Sequence, residues 1–417
     1  MLKISYKDEY LSHPNKDKLI QFTNCFILKK ESIIKYDLWV LNGKVISGLN
    51  VFFDQKKVAD IQVDCEGLVV SPGFIDLQLN GGFGVDFSSL DSTNFVEGVQ
   101  YVANKLLCHG VTAFCPTIIT SNKDYYHEVL PLFENINLNA KTDIATILGA
   151  HLEGPFICRT KKGAHSEAHV IDSFGSSVAH KIHSIYGDNL KNVSIVTLAP
   201  ELKGAGEAIE YLVSNDIQVS LGHSSSTLSD GEAGFAKGAT KVTHLFNAMK
   251  TYHHRDPGLI GLLTSNNLPP SRQFYYGIIA DGVHTHVSAL RLAYRTNPKG
   301  LLLVTDAMAA LGMGNGIHRL GDHAIDVKDG HATVHNSDIT AGSVASMPEC
   351  VRGVCESTGC SLGEALTAST TKPAAMVKQT NKRGDLFELG SDADFILIDQ
   401  NVSIFATFVL SKRVFIR

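Results

Sequence analysis

Residues 145–153 read ATILGAHLE, an almost unbroken apolar run that closes on the carboxylate of Glu153. Near-continuous hydrophobicity over so short a length predicts a strand covered on both faces, as in a parallel sheet wrapped by helices. A charge at the end of such a strand is costly unless something positive meets it. Glu153 therefore sits at a solvated rim or holds a cationic partner.

Seven further runs share the pattern: GFIDLQLN (73–80), GVTAFCPTI (110–118), VSIVTLAPE (193–201), IQVSLGH (217–223), TKVTHLFN (240–247), FYYGIIAD (274–281) and LLLVTD (301–306). Longer amphipathic stretches separate them, which is the signature of successive βα units. Between the first two, Phe95, Val96, Val99, Val102, Ala103, Leu106 and Leu107 recur at helical spacing, and Gly110 stands where a C-terminal cap belongs. Eight strands with crossover helices predict an α/β fold, a (β/α)8 TIM-like barrel.

The flanks differ. Residues 19–72 and about 384–417 hold short strands broken by turn residues, as in VLNGKVI and GSDADFILID, while 317–340 read as a hairpin around Asp329 and Gly330. The expected division is a small β-sandwich domain from both chain ends, 1–72 and 384–417, and a barrel over 73–383 with a β-hairpin insertion near 317–340.

Composition narrows the function classes. The chain has 417 residues, 44% hydrophobic and 19% charged, with a formal net charge of -5. It lacks a long basic run, so neither nucleic acid nor an anionic membrane is an expected partner. Charges scattered through MLKISYKDEYLSHPNKDKL leave no room for a signal peptide, and no stretch reaches 18 apolar residues. The eight cysteines are dispersed without a CxxC pair, which predicts reduced thiols and a cytoplasmic protein. Cys350, Cys355 and Cys360, five apart, read as spread around one helix.

Barrel active sites lie at the carboxyl ends of the strands. The residues there are polar: Gln78, Asn80, Glu153, His223, His244, Asp281 with His284 just after, and Asp306. Glu153, His223 and His244 offer one carboxylate and two imidazoles from three strands, a suitable set for one divalent metal with an open position. Each also has a plainer reading, since a strand-end histidine is often just hydrogen-bonded and Glu153 or Asp306 could cap the next turn or helix. Asp306 ends the eighth run, where a carboxylate can take a proton from a water activated by the metal and return it to a leaving group.

Beyond these separate readings, PGFIDLQLNGGFGVDF, HLEGPF followed by KKGAHSEAH, SLGHSS, THLFNAM with HHRDPG, ADGVHTH and LVTDAM occur in order along the chain. Together they resemble the N-acetylglucosamine-6-phosphate deacetylase family of the amidohydrolase superfamily, the animal type in particular, from about residue 20 to 417. Many amidohydrolases carry His-x-His after the first strand; here Gln78-Leu79-Asn80 stands instead, a pattern of this family that argues against a binuclear site.

The resemblance implies hydrolysis of N-acetylglucosamine 6-phosphate to glucosamine 6-phosphate and acetate. It implies one metal per subunit on Glu153, His223 and His244, zinc first, although such a ligand set also accepts iron, cobalt or manganese. Asp306 would be general base and acid. His165, with Ala164 beside it, would polarise the acetyl carbonyl, whereas read alone it is a solvated loop histidine. Asn247 and Ala248 would contact substrate through their backbone, and Asn247 read alone is a helix cap. Arg255 would reach the sugar phosphate of a neighbouring subunit in a homodimer; its plainer reading is a surface pair with Asp256. His284 would contact sugar or phosphate, and Ala341 and Gly342 in ITAGSVASM are candidates for a lid. The rival readings are an amidohydrolase acting on a cyclic amide and a catalytically inactive barrel used as a scaffold or binding protein.

Overall fold

The structure, a computed structural model, describes residues 1–138 and 143–417. The eight apolar runs form a parallel barrel: β1 (Phe74–Leu79), β2 (Val111–Ile119), β3 (Ala150–Glu153), β4 (Val193–Leu198), β5 (Gln218–Leu221), β6 (Lys241–Val242), β7 (Tyr275–Ile278) and β8 (Leu301–Leu303), each paired with the next. Between β8 and β1 the ladder is short. Leu79 bridges Ala307, Asp306 N–H donates to Gln78 O at 2.9 Å, and Asn80 N–H donates to Ala307 O at 2.7 Å.

Alternation along the strands sorts the side chains. Leu152, Val196, Leu221, Val242 and Leu303 face the surrounding helices and join the large outer core. Their neighbours turn inward. There His151 Nε2 meets Thr197 Oγ1 at 2.8 Å, Thr197 Oγ1 meets Thr243 Oγ1 at 2.8 Å, and Thr243 Oγ1 meets Ser220 Oγ at 2.5 Å. The inward face is thus partly polar, with every step of this chain hydrogen-bonded as burial requires. His151, whose Nδ1 reaches Leu77 O at 2.9 Å, belongs to this lining.

The first crossover helix, α1 (Phe95–Lys105), continues as a tighter turn to His109 and stops at Gly110, whose φ of +73° suits a residue without a Cβ. The helix Met347–Thr358 likewise ends at Gly359, so Cys360 lies beyond it and does not share a helix with Cys350 and Cys355.

The chain ends build two sheets. A five-stranded sheet contains Leu2–Ser5, Leu19–Thr23, Leu38–Leu41, Lys44–Val45 and Ile61–Asp64, and a six-stranded sheet pairs Phe26–Lys29, Ser32–Lys35 and Val69–Pro72 with the C-terminal strands Phe395–Ile398, Ile404–Val409 and Lys412–Ile416. Phe22 from the first sheet meets Phe395 and Phe408 from the second, with ring centroids 4.9 and 5.4 Å apart. All four residues of Phe395–Ile398 are buried because this sheet is covered twice: Phe395 and Leu397 face the sandwich, Ile396 and Ile398 the barrel helices. The strand Leu2–Ser5, which the charged N-terminus concealed, is an edge strand paired parallel to Ile61–Asp64.

Gly316–Leu320, His323–Lys328 and His331–Val334 form a three-stranded antiparallel sheet whose last turn places Asp329 (φ +51°) and Gly330 (φ +81°) in the left-handed region. Its Leu320 and Ile325 pack with Ile119, Ala164, Met308 and Ala341 at the mouth of the barrel.

Candidate active site

The strand ends bring three donor atoms together. Glu153, the last residue of β3, presents Oε1 3.0 Å from His223 Nε2 and 2.9 Å from His244 Nε2, and the two Nε2 atoms are 3.1 Å apart. All three residues are buried. His223 Nδ1 lies 2.8 Å from Lys161 O, and a carbonyl only accepts, so Nδ1 carries a proton, and in the neutral ring Nε2 is the lone-pair atom that faces the carboxylate oxygen. Lone pairs held this close repel unless a cation stands among them. Tetrahedral coordination with bonds of ~2.0–2.2 Å sets ligand atoms about 3.3–3.6 Å apart, a few tenths of an ångström wider than the spacing here. The donor set fits one divalent metal ion.

Glu153, His165 and His223 also offer ligand atoms within 4.8 Å of one another. The Glu153–His223–His244 set is tighter, and His165 is engaged elsewhere: Thr120 Oγ1 lies 2.7 Å from its Nδ1, and Thr120 N–H donates to the same atom at 3.4 Å. With Nδ1 accepting, the proton is on Nε2. Burial, with His223 adding to it, holds the His165 pKa well below the usual histidine range, so the ring is a neutral donor.

Local geometry makes these approaches possible. Gly154 follows Glu153 with φ +88°, and a Cβ there would stand 2.2 Å from Thr120 Oγ1. His223 (φ +47°), His244 (φ +26°) and Asp306 (φ +48°) all sit in the left-handed region just past their strands. Such strain clusters at functional sites and persists only where the surroundings over-determine it.

Asp306 faces the same cavity. Asn80 Nδ2 donates to its Oδ1 at 2.8 Å, and Gln78 Nε2 donates to that oxygen at 3.3 Å and to Glu153 Oε1 at 3.0 Å. One amide nitrogen thus bridges the two carboxylates. Both contacts to Asp306 fall on Oδ1, which leaves Oδ2 for the cavity. Burial and the charge of Glu153 push Asp306 up to about 6.

A cavity of about 190 Å³ is lined by Asn80, Glu153, Ala164, His165, His223, His244, Asn247, Ala248, His284, Asp306 and Gly342, among others. Ala341 is buried beneath the hairpin sheet beside Gly342 and does not line the cavity. His284 is oriented by Asp281, whose Oδ2 is 2.7 Å from His284 Nδ1. Arg255 does not line the cavity: it is exposed, with an NH1 to His254 Nε2 contact of 3.4 Å, while Asp256 is taken by Lys250 at 2.5 Å. The surface pair with Asp256 therefore does not form. A larger cavity, about 570 Å³ and lined by Leu290, Glu349 and Arg352 among others, lies outside this cluster and includes none of the three ligand residues.

The sequence places Gln78 and Asn80 among the polar strand ends but gives them no role beyond replacing a His-x-His pair, whereas in the structure their amides hold Asp306. Thr120 and Glu201 were passed over. Glu201 closes the run VSIVTLAPE, so the strand-end rule that found Glu153 also points to it.

Residues 69–416 match the amidohydrolase family. Among curated proteins, the N-acetylglucosamine-6-phosphate deacetylase of Caenorhabditis elegans is 53% identical over 402 residues, covering 96% of this chain and 95% of its own. Among solved structures, the N-acetylglucosamine-6-phosphate deacetylase of Pasteurella multocida superposes with a TM-score of 0.83 at 28% identity, over 95% of this chain and 99% of that one. A mutant of the Mycobacterium smegmatis enzyme in complex with N-acetyl-D-glucosamine-6-phosphate gives 0.80 at 27%, over 96% and 100%.

Proposed function

Since the chain belongs to the N-acetylglucosamine-6-phosphate deacetylases of the amidohydrolase family, we infer that its barrel hydrolyses N-acetylglucosamine 6-phosphate to glucosamine 6-phosphate and acetate. The observation that carries this reading is the convergence of Glu153, His223 and His244 within 3.1 Å, with Asp306 tied to Glu153 through Gln78. Glu153, His223 and His244 would hold one divalent ion, zinc by preference, which when bound supplies Lewis acidity to the reaction.

The chain's own groups supply the rest. Oδ2 of Asp306 takes a proton from the attacking water as its oxygen bonds to the acetyl carbon. His165 Nε2–H donates to the carbonyl oxygen as negative charge builds there. Asp306 then returns the proton to the sugar nitrogen as the C–N bond breaks, releasing acetate and the free amine. Asn80 and Gln78 hold the Asp306 carboxylate throughout. Asn247, Ala248 and His284 line the cavity, and in this reading the Asn247–Ala248 backbone and the His284 ring contact the sugar phosphate. Arg255, exposed on the chain segment that follows Ala248, supplies a cation to the phosphate of a substrate bound in the second subunit of a homodimer.

Among the described residues no helix is long and apolar enough to cross a membrane; the cytoplasm is the proposed compartment. Acetate release from N-acetylglucosamine with and without its 6-phosphate, in metal-stripped and metal-restored protein, tests the reading. Turnover that needs both metal and phosphate supports it. A metal-loaded protein that releases no acetate from the phosphorylated sugar would sink it.

A further inference from the structure

One strand-end carboxylate takes no part in the reaction above. Glu201 lies three residues past the end of β4, and its carboxylate accepts from Ser224 Oγ at 2.7 Å, Ser225 N–H at 2.6 Å and Ser225 Oγ at 3.2 Å. Ser224 and Ser225 directly follow His223, one of the three proposed metal ligands. Ser224 in turn grips the loop after His244: its N–H donates to Ala248 O at 3.1 Å, and its carbonyl accepts from Lys250 N–H at 3.1 Å. On the other side, Ser225 Oγ meets Cys158 Sγ at 3.1 Å, and Cys158 N–H donates to His223 O at 2.8 Å.

The carboxylate thus holds the 223–226 loop directly, and through Ser224, Ser225 and His223 that loop is joined to the loop after His244 and to Cys158. These loops include His223 (φ +47°), His244 (φ +26°) and Ala248 (φ +49°), each in the left-handed region that a residue with a Cβ keeps only under outside constraint. Bonds to an ionised acceptor are the stronger kind, and Glu201 supplies three on adjacent residues. It does not line the cavity, so it acts through the loops and not on substrate.

We propose that Glu201 is a positioning residue, which fixes the 223–226 loop on which the 244–250 loop is docked through the Ser224 backbone, and so supports both the metal-facing imidazoles and the substrate-facing backbone of Asn247 and Ala248. The substrate half of this statement rests on the deacetylase reading; the metal half does not.

The test uses the full chain as wild type, Glu201→Ala, Glu201→Gln and Val99→Ala, the last a destabilising control in α1. Metal retention against a chelator, kcat and KM are compared with the Tm of the metal-free proteins. Glu201→Ala should lose metal affinity and kcat/KM by about tenfold or more, the usual effect of removing an outer support of a metal site. Glu201→Gln, which keeps an acceptor for Ser225 N–H, should recover most of both, and Val99→Ala should lower Tm while retaining metal. Wild-type metal retention in Glu201→Ala overturns the proposal, as does an equal loss in Val99→Ala. If the wild type releases no acetate the deacetylase reading fails, and metal retention alone still decides the role of Glu201.

Discussion

The Nε2 atoms of His223 and His244 face each other at 3.1 Å, with Oε1 of Glu153 closing the triangle at 3.0 and 2.9 Å. With both rings neutral and Nε2 unprotonated, three lone-pair atoms this close are stable together only around a positive charge, so metal binding and stability are expected to be linked. Stripping the metal should abolish acetate release and lower Tm, and returning it should restore both. At a thousandfold excess over Kd the ion contributes about 4 kcal/mol. Elemental analysis should find one metal per chain, and full turnover in the stripped protein would contradict the site.

Asp306→Asn keeps the shape of the side chain and the hydrogen-bond reach toward Gln78 and Asn80 but cannot accept the proton. Turnover should fall by about 10²–10⁴-fold, the usual share of general acid–base catalysis. Bound metal and KM should stay near wild type. Near-normal acetate release by this variant would remove Asp306 from the mechanism.

For His165, the Thr120 contacts fix which nitrogen carries the proton, so the ring is a preset donor for charge that develops on the carbonyl oxygen. His165→Ala should cost about 10²–10³-fold in kcat with a smaller change in KM, as for other oxyanion donors. A change confined to KM would mark His165 as a binding group only.

The pH profile follows from Asp306. Burial and the Glu153 charge raise it to about 6, and in the proposed mechanism the ionised form is the base. Activity is thus present above that value and is lost as pH falls through it; a bound cation favours the carboxylate and moves the limb lower. The acid limb of kcat/KM should lie at or below about pH 6, and it should vanish from the residual activity of Asp306→Asn. A limb centred above about pH 7 would assign the titration to another group.

The barrel and the side-chain cluster proposed to hold metal were legible because their signals are local. Each strand is a bounded apolar run, and Glu153, His223, His244 and Asp306 stand at the ends of four of them. The partners of groups that reach across the barrel left no such mark. Gln78 is 75 residues from Glu153 and 228 from Asp306 in sequence, yet one amide nitrogen touches both. Thr120 lies 45 residues from His165. The edge strand Leu2–Ser5 was hidden for another reason: its burial is incomplete, so it needs no apolar run to form.

Arg255 gives the prediction that separates the dimer from a monomeric site. It is exposed, its neighbour Asp256 is already paired with Lys250, and it does not line the cavity of its own chain. If it serves the partner's substrate, Arg255→Ala should raise KM for the phosphorylated sugar far more than for the unphosphorylated one. In a twofold dimer the argument goes further. Mixing Arg255→Ala with Asp306→Asn protomers forms hybrids in which one site keeps its own Asp306 and receives Arg255 from the other chain. Random exchange at equal amounts makes half the dimers hybrid with one complete site each, so about a quarter of wild-type activity should return. Each variant alone should stay low under the same conditions. A mixture no more active than the sum of its parts would mean that Arg255 does not act across a dimer interface.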